Sequence, residues 1–213
     1  MSVRLYGASY SVYVRIARLA LAEKGVAHEH VEVDIFADGG PPPEHLARHP
    51  FGKIPAFEHD GFALYETAAI CRYVDEAFDG PALQPENVQE RARMAQIVGL
   101  LDSYGYRNMV WSVFVELSGD GANEGRTDRT KVEAGLERSA VVLGELERLG
   151  DGPFLAGGAL SLADLHAAPM FAYVMVPEEG RALVARYPRI AAWVETMRAR
   201  SATIVTRPPE AAW

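Results

Sequence analysis

The sequence predicts an α/β unit followed by an all-α unit, and three observations carry that expectation. Short apolar, β-branched runs alternate with helical patterns through the first eighty or so residues, in the order β-α-β-α-β-β-α. Asp60-Gly61 stands between two such runs, "IPAFE" and "FALY", as a hairpin signal. From Pro85 onward strand signals stop, and long periodic segments at about 87–117, 129–149, 161–176 and 188–200 read as helices. The expected domains are 1–80 and 87–213, with "DGPALQPEN" (79–87) as the linker and "GDGANEGRTD" (119–128) as a turn-rich break between two long helices.

In chain order, "VRLYG" (3–7) is a short strand, and "SVYVRIARLALAEKG" (11–25) is a helix that Gly25 terminates. "HEHVEVDI" (28–35) is the second strand and completes a β-α-β unit. After "DGGPPP" (38–43) come a short helix around Glu44 to Arg48 and the two strands of the hairpin. The helix after Thr67 carries Ile70, Tyr73, Val74 and Ala77 at the three-four spacing of one buried stripe. In the second half, Ser161 and Asp164 form a capping box, with Leu160 and Leu165 at the positions of a hydrophobic staple; this pattern builds a helix and touches no chemistry.

With 213 residues, 49% of them apolar and 23% charged, the chain has enough material for real cores. The net charge of −8 and the absence of a basic cluster speak against nucleic acid. No run of eighteen apolar residues marks a membrane span, and "MSVRLYG" enters a strand pattern where a signal peptide would be basic and then apolar, so a cytoplasmic location is expected. The single cysteine, Cys71, excludes an internal disulfide and a CxxC motif, and its apolar helical setting reads as core. His45 and His49 have i, i+4 spacing, but no third ligand and no HExxH pattern accompany them. The expectation is a solvated face and no metal, and His28 and His30, alternating on one strand face, read the same way.

Several residues have two readings. Pro55, near the start of a strand, is either an ordinary trans proline or a cis proline that turns the backbone of Ile54 outward for a passing peptide. Ser11 is either a helix N-cap, a role for which Ser9 competes, or a hydroxyl donor to an anion at a helix start. Thr67 is an N-cap or part of a carboxylate grip at a helix end, with Glu66 beside it able to meet an ammonium. Lys53 is a solvated lysine or a cation for a ligand carboxylate.

Four motifs in register resemble the cytosolic glutathione transferase family, in a serine-type, bacterial-like form and over nearly the whole chain. They are "SYSVYVRIARLALAEKG", "HPFGKIP", Glu66-Thr67 within "LYETAAICRYVDE", and "FLAGGALSLADLHAAP" (154–169) around the Ser-x-x-Asp box. The resemblance implies a thioredoxin-like N-terminal domain that binds glutathione and an all-helical C-terminal domain that carries the electrophile pocket. It selects Ser11 as the donor that stabilises the glutathione thiolate, with Tyr6 and Tyr10 as rivals, Tyr6 reading more as core and Tyr10 as substrate-facing. It implies Lys53, Ile54, Pro55, Glu66 and Thr67 as glutathione contacts, with Pro55 cis. It also places Tyr10, Val12, Tyr13, Tyr104 and Trp111 at the pocket for an apolar electrophile, and a homodimer as the assembly. Glutathione is the co-substrate and detoxification the role implied.

Departures accompany the matches. Val12 stands where the family has proline, and Gly40 and Pro41 replace basic residues of the plant-type loop, which leaves the grip on the glycine carboxylate open. The isomerases acting on maleylacetoacetate share "VRIA" but read Ser-Ser-Cys where this sequence has Ser11-Val12-Tyr13, and rank second. A non-catalytic ligand-binding or regulatory member is the alternative from another class, against which Ser11, Ile54-Pro55 and Glu66-Thr67 all remain in place.

Overall fold

Four strands form one mixed sheet in the order β2-β1-β3-β4: β1 (Val3–Tyr6), β2 (Glu29–Val31), β3 (Ala56–His59) and β4 (Phe62–Tyr65). This computed structural model describes residues 1–119 and 125–213, so the centre of the expected break at 119–128 lies outside the described residues. The chain divides into two units, Met1–Leu83 with Val205–Pro209, and Gln84–Ile204 with Glu210–Trp213.

In the first unit β1 pairs parallel with β2 and antiparallel with β3, and β3 pairs antiparallel with β4. Asp60 and Gly61 both take positive φ, 48° and 88°, the pattern of the tight hairpin turn that matches strand twist. α1 (Val12–Glu23) ends at Gly25, φ 67°, where Val26 N–H reaches Leu21 O at 2.8 Å and Gly25 N–H reaches Ala22 O at 3.1 Å. α2 is the short helix Pro43–Arg48, and α3 is Thr67–Ala77. α1 packs on α3, and Leu5, Ile16, Leu19, Leu21, Phe57, Ile70 and Val74 are all buried.

Two expectations need correction here. β2 is three residues long, not eight, because the acidic side chains beyond it turn to local backbone and loop partners: Asp34 accepts Phe36 N–H at 2.8 Å and Glu32 accepts Ser9 N–H at 2.8 Å. The buried stripe of α3 is Thr67, Ile70, Cys71 and Val74; Ala77, at the helix end, is exposed. Cys71 is core, as expected.

Among the described residues the regular elements of the second unit are helices, apart from an isolated bridge between Phe154 and Gly157. α4 (Val88–Leu100) runs on through Leu101–Gly105 and Arg107–Phe114 into α5 (Val115–Ser118), with helical backbone at the junctions Leu101, Tyr106 and Val115. The middle of this rod is π-wound: Tyr106 N–H bonds Leu101 O and Val115 N–H bonds Val110 O, each five residues back. The sequence periodicity predicts an ordinary helix there. The Asn108 side chain donates to Tyr104 O at 2.7 Å, so a side chain supplies one i→i−4 link within this stretch.

α6 is Arg129–Leu149, α7 Leu162–Val174, α8 Glu178–Val184, α9 Pro188–Arg198 and α10 Ser201–Thr206. α7 is apolar around most of its circumference and buried along its whole length, as such a helix must be. Its start is fixed by Asp164, whose carboxylate accepts Ser161 N–H and Leu155 N–H at 2.8 Å, Ser161 O–H at 2.9 Å and Trp193 Nε1–H at 2.8 Å. The capping box is therefore present, and it extends to a residue on α9. Glu147 of α6 serves the start of α9, accepting Arg189 N–H at 3.1 Å and Ile190 N–H at 3.0 Å, a carboxylate at a positive helix end. Among the described residues no helix is long and apolar enough to cross a membrane.

Candidate functional site

Strand register decides what meets at one end of the sheet. Tyr6 pairs with Ala56 and Ala56 with Tyr65, so these three residues form one row across β1, β3 and β4. The residues after Tyr6, before Ala56 and after Tyr65 must then leave the sheet side by side. They are Gly7–Ser11, Lys53–Pro55 and Glu66–Thr67, the segments that the motifs single out. α1 and α3 both begin here, and their unpaired N–H groups give this end a positive potential.

Ser11 is the N-cap of α1, and its Oγ accepts Val14 N–H at 3.4 Å, longer than the usual span of about 2.7–3.2 Å. In that bond the hydroxyl accepts, so its own proton stays available to an anion. The two readings of Ser11 are thus compatible. The loop that carries it is pinned at several points: Ser11 N–H to Ala8 O at 3.0 Å, Tyr10 O–H to Asp34 at 2.7 Å, and His30 Nε2 against Gly7 O at 2.8 Å. Gly7, at φ 151°, is required by close approach, since a Cβ there would sit 2.4 Å from Val14 Cγ2 and 3.0 Å from Ile54 Cβ.

The Ile54-Pro55 bond is cis, as the resemblance implies. Ile54 is half-buried and packs by Tyr6, Val33 and Ala56, while Lys53 is exposed. Among the described residues neither the N–H nor the carbonyl of Ile54 has a hydrogen-bond partner. Glu66 is the N-cap of α3 at φ 72°, makes no side-chain cap bond and is exposed; Thr67 is the first helical residue and is buried. Thr67 is therefore not a plain N-cap.

Tyr6 is buried, as expected of a core residue, with its hydroxyl donating to Glu58 at 3.3 Å and the Arg48 guanidinium 4.3 Å over its ring. The histidine reading needs correction. His45 and His49 are 0% and 3% exposed and do not form a solvated face. His45 Nε2 lies 2.7 Å from Lys53 O, and the His49 ring packs against Tyr65 at 4.8 Å between centroids. Burial lowers the His49 pKa below its ordinary value, with nearby Glu66 opposing. The i, i+4 spacing of the two rings was visible, but not the carbonyl that draws one of them inward. His30 is likewise half-buried and bonded, not solvated.

Of the residues expected around an electrophile, Tyr10 and Tyr13 are half-buried in the first unit. Val12 is 3% exposed and belongs to the core, which removes it as a contact surface. In the second unit Tyr104 is 63% and Trp111 37% exposed, whereas Met109 between them is buried. Tyr106 shares a side-chain hydrogen bond with Trp111, five residues on, a contact that π-winding brings within reach; burial raises the Tyr106 pKa. No group of three metal-ligating side chains occurs among the described residues.

Comparison with known proteins agrees with this architecture. Residues 5–82 match the family model "Glutathione S-transferase, N-terminal domain" and residues 129–196 match "Glutathione S-transferase, C-terminal domain". Glutathione S-transferase F14 of Arabidopsis thaliana is 34% identical over 196 residues, covering 89% of this chain and 77% of its own. Glutathione S-transferase F13 of the same plant is 30% identical over 98% of this chain and 96% of its own. Among solved structures, glutathione transferase F7 from Populus trichocarpa superposes with a TM-score of 0.83 at 30% identity, over 96% of this chain and 97% of that one. Glutathione S-transferase I from maize, in complex with an atrazine glutathione conjugate, gives 0.84 at 28% identity, over 97% and 96%. On these matches, and on the two domain models together, the chain belongs to the glutathione S-transferase family.

Proposed function

We propose that this protein is a serine-type glutathione transferase, in which the Ser11 hydroxyl donates to the sulfur of glutathione and holds it as a thiolate. The observation that supports this reading is the place of Ser11 at the start of α1, where its oxygen accepts Val14 N–H and its hydroxyl would still be able to donate to an anion at the positive helix end. Ile54 would pair its free N–H and carbonyl with the backbone of the tripeptide, as an added strand does. Glu66 would take the γ-glutamyl ammonium, Thr67 and the start of α3 its carboxylate, and the exposed Lys53 a carboxylate of the same ligand.

The thiol proton leaves to solvent, and the thiolate then forms a carbon–sulfur bond with an apolar electrophile, by addition or by displacing a leaving group. Each pKa unit taken from the thiol corresponds to about 1.4 kcal/mol of preference for the nucleophilic form, and holding the partners together supplies the rest. Tyr10, Tyr13, Tyr104 and Trp111 remain the residues proposed to meet the electrophile, and the maize enzyme's conjugate supports an apolar one. The reading includes a cytoplasmic homodimer.

The test is the pH dependence of thiolate ultraviolet absorbance for glutathione mixed with the protein. Expected is a titration well below the thiol's ordinary value of about 8.5, returning toward it in Ser11→Ala. No binding, or an unshifted titration with the native protein, would overturn the proposal.

A further inference from the structure

The sheet-end geometry points to a buried histidine on α2 whose ring meets the backbone just before Ile54. We infer that His45 is a positioning residue for glutathione, acting through the peptide bond between Lys53 and Ile54; the inference rests on the reading above. His45 is fully buried on α2, and its Nε2 stands 2.7 Å from the Lys53 carbonyl oxygen. A carbonyl oxygen has no proton, so Nε2 carries the hydrogen and donates it.

The Lys53 carbonyl and the Ile54 N–H belong to one planar unit. That unit is trans, the cis bond being the next one, so its C=O and N–H point in opposite directions. Drawing the carbonyl inward onto His45 therefore aims the Ile54 N–H outward. On the other side, Ala56 is locked by Tyr6 and Tyr65, and Ile54 itself lies against Gly7 with no room for a Cβ. Ile54 is thus held at both ends while its own polar groups stay unpaired.

The turn leading to Lys53 is fixed as well, by His49 N–H to His45 O at 2.8 Å and Gly52 N–H to His49 O at 2.9 Å. Among the described residues only the His45 ring bonds the Lys53 carbonyl. Among the same residues its Nδ1 is buried without a partner, so the ring keeps one unsatisfied nitrogen in place while Nε2 makes this bond. A core position serving stability alone would be better filled by an apolar side chain.

The test compares His45→Gln, whose amide nitrogen reaches about where Nε2 lies, with His45→Met, similar in length but without a donor. Glutathione affinity is measured by calorimetry, alongside thermal melts and the KM for a chlorodinitrobenzene electrophile. Expected are a glutathione Kd within about threefold of native for His45→Gln and raised about tenfold for His45→Met. The electrophile KM and the thiolate pKa at saturating glutathione should stay unchanged in both. Equal affinities in the two variants would overturn the inference, whatever their melting temperatures. Native protein that failed to bind glutathione would instead overturn the proposed function. A second measurement needs no substitution: the His45 Nε2 proton should exchange slowly with solvent in the native protein, and exchange as fast as a free imidazole's would also overturn the inference.

Discussion

Lys24 Nζ lies 3.2 Å from Asp75 Oδ1, and both side chains are nearly sealed from water, at 3% and 6% exposure. Lys24 also donates to Asp75 O at 3.0 Å and Pro81 O at 3.2 Å, and the Asp75 carboxylate accepts Leu83 N–H at 2.8 Å. One ion pair thus joins the end of α1, the last turns of α3 and the chain leaving the first unit. Asp75→Ala strands a buried ammonium and should cost about 3–5 kcal/mol in urea unfolding. Lys24→Met should cost less, because the Leu83 N–H still serves the carboxylate. A double variant as unstable as the sum of the two would show that the pair is not coupled.

Asp164 satisfies four donors from inside the core of the second unit, while burial pushes its carboxyl above the ordinary value. Asp164→Ala leaves two backbone N–H groups and the Trp193 indole buried without partners, so a loss of about 3–5 kcal/mol is expected. A thermal melt at the native temperature would contradict the structural role. Because the carboxylate lies in the second unit, glutathione affinity in folded protein should be unchanged.

His166 gives stability a defined pH dependence. Its Nδ1 donates to Leu162 O at 2.8 Å, and complete burial lowers its pKa from the ordinary 6.5, with Asp102 opposing. The folded ring resists a proton that the unfolded one accepts. The stability that this ring contributes is therefore full above about pH 6.5 and falls as pH drops toward the depressed folded value, with a slope of at most about 1.4 kcal/mol per pH unit from this one group. His166→Asn keeps a donor for Leu162 O and takes up no proton, so its urea midpoint should vary less between pH 7 and pH 5 than the native protein's. Part of the slope should persist, since the His49 pKa is lowered in the same direction. Equal slopes would remove His166 from this account.

Gly7→Ala should affect both stability and the proposed ligand. The added methyl meets Val14 Cγ2 at 2.4 Å and the backbone keeps a positive φ, so about 1–3 kcal/mol should be lost. Ile54 is the other neighbour, and its displacement should weaken glutathione binding in calorimetry. Native affinity in a folded variant would mean that Ile54 does not need its seat against Gly7.

Much of this was readable in the residues because it is local. Asp60-Gly61 fixes a turn by its own φ preferences, Gly25 ends a helix, and Ser161 and Asp164 lie three residues apart in one box. What escaped the sequence depends on partners far away. Trp193 joins the box across 29 residues. His45 reads as part of a solvated face because no third metal ligand accompanies it and His49, and the Lys53 carbonyl that meets its ring lies eight residues on. β2 was overextended because "HEHVEVDI" alternates well, whereas Glu32 and Asp34 are drawn to the loop that carries Ser9 and Tyr10. The short helices α8 and α10, at seven and six residues, hold too few turns for periodicity to register.

The π-wound centre of the long rod has a bearing on comparison itself. A π-turn is what an α-helix becomes when it absorbs an extra residue without breaking. Through 101–114, then, a one-to-one match with a relative whose helix is regular drifts out of phase, and Tyr104 or Trp111 would be paired with residues on another face. The two matched domain models stop at residue 82 and resume at 129, on either side of this stretch. Substrate preference inferred for this chain from its relatives must therefore be carried across the rod by superposed backbone, not by sequence position.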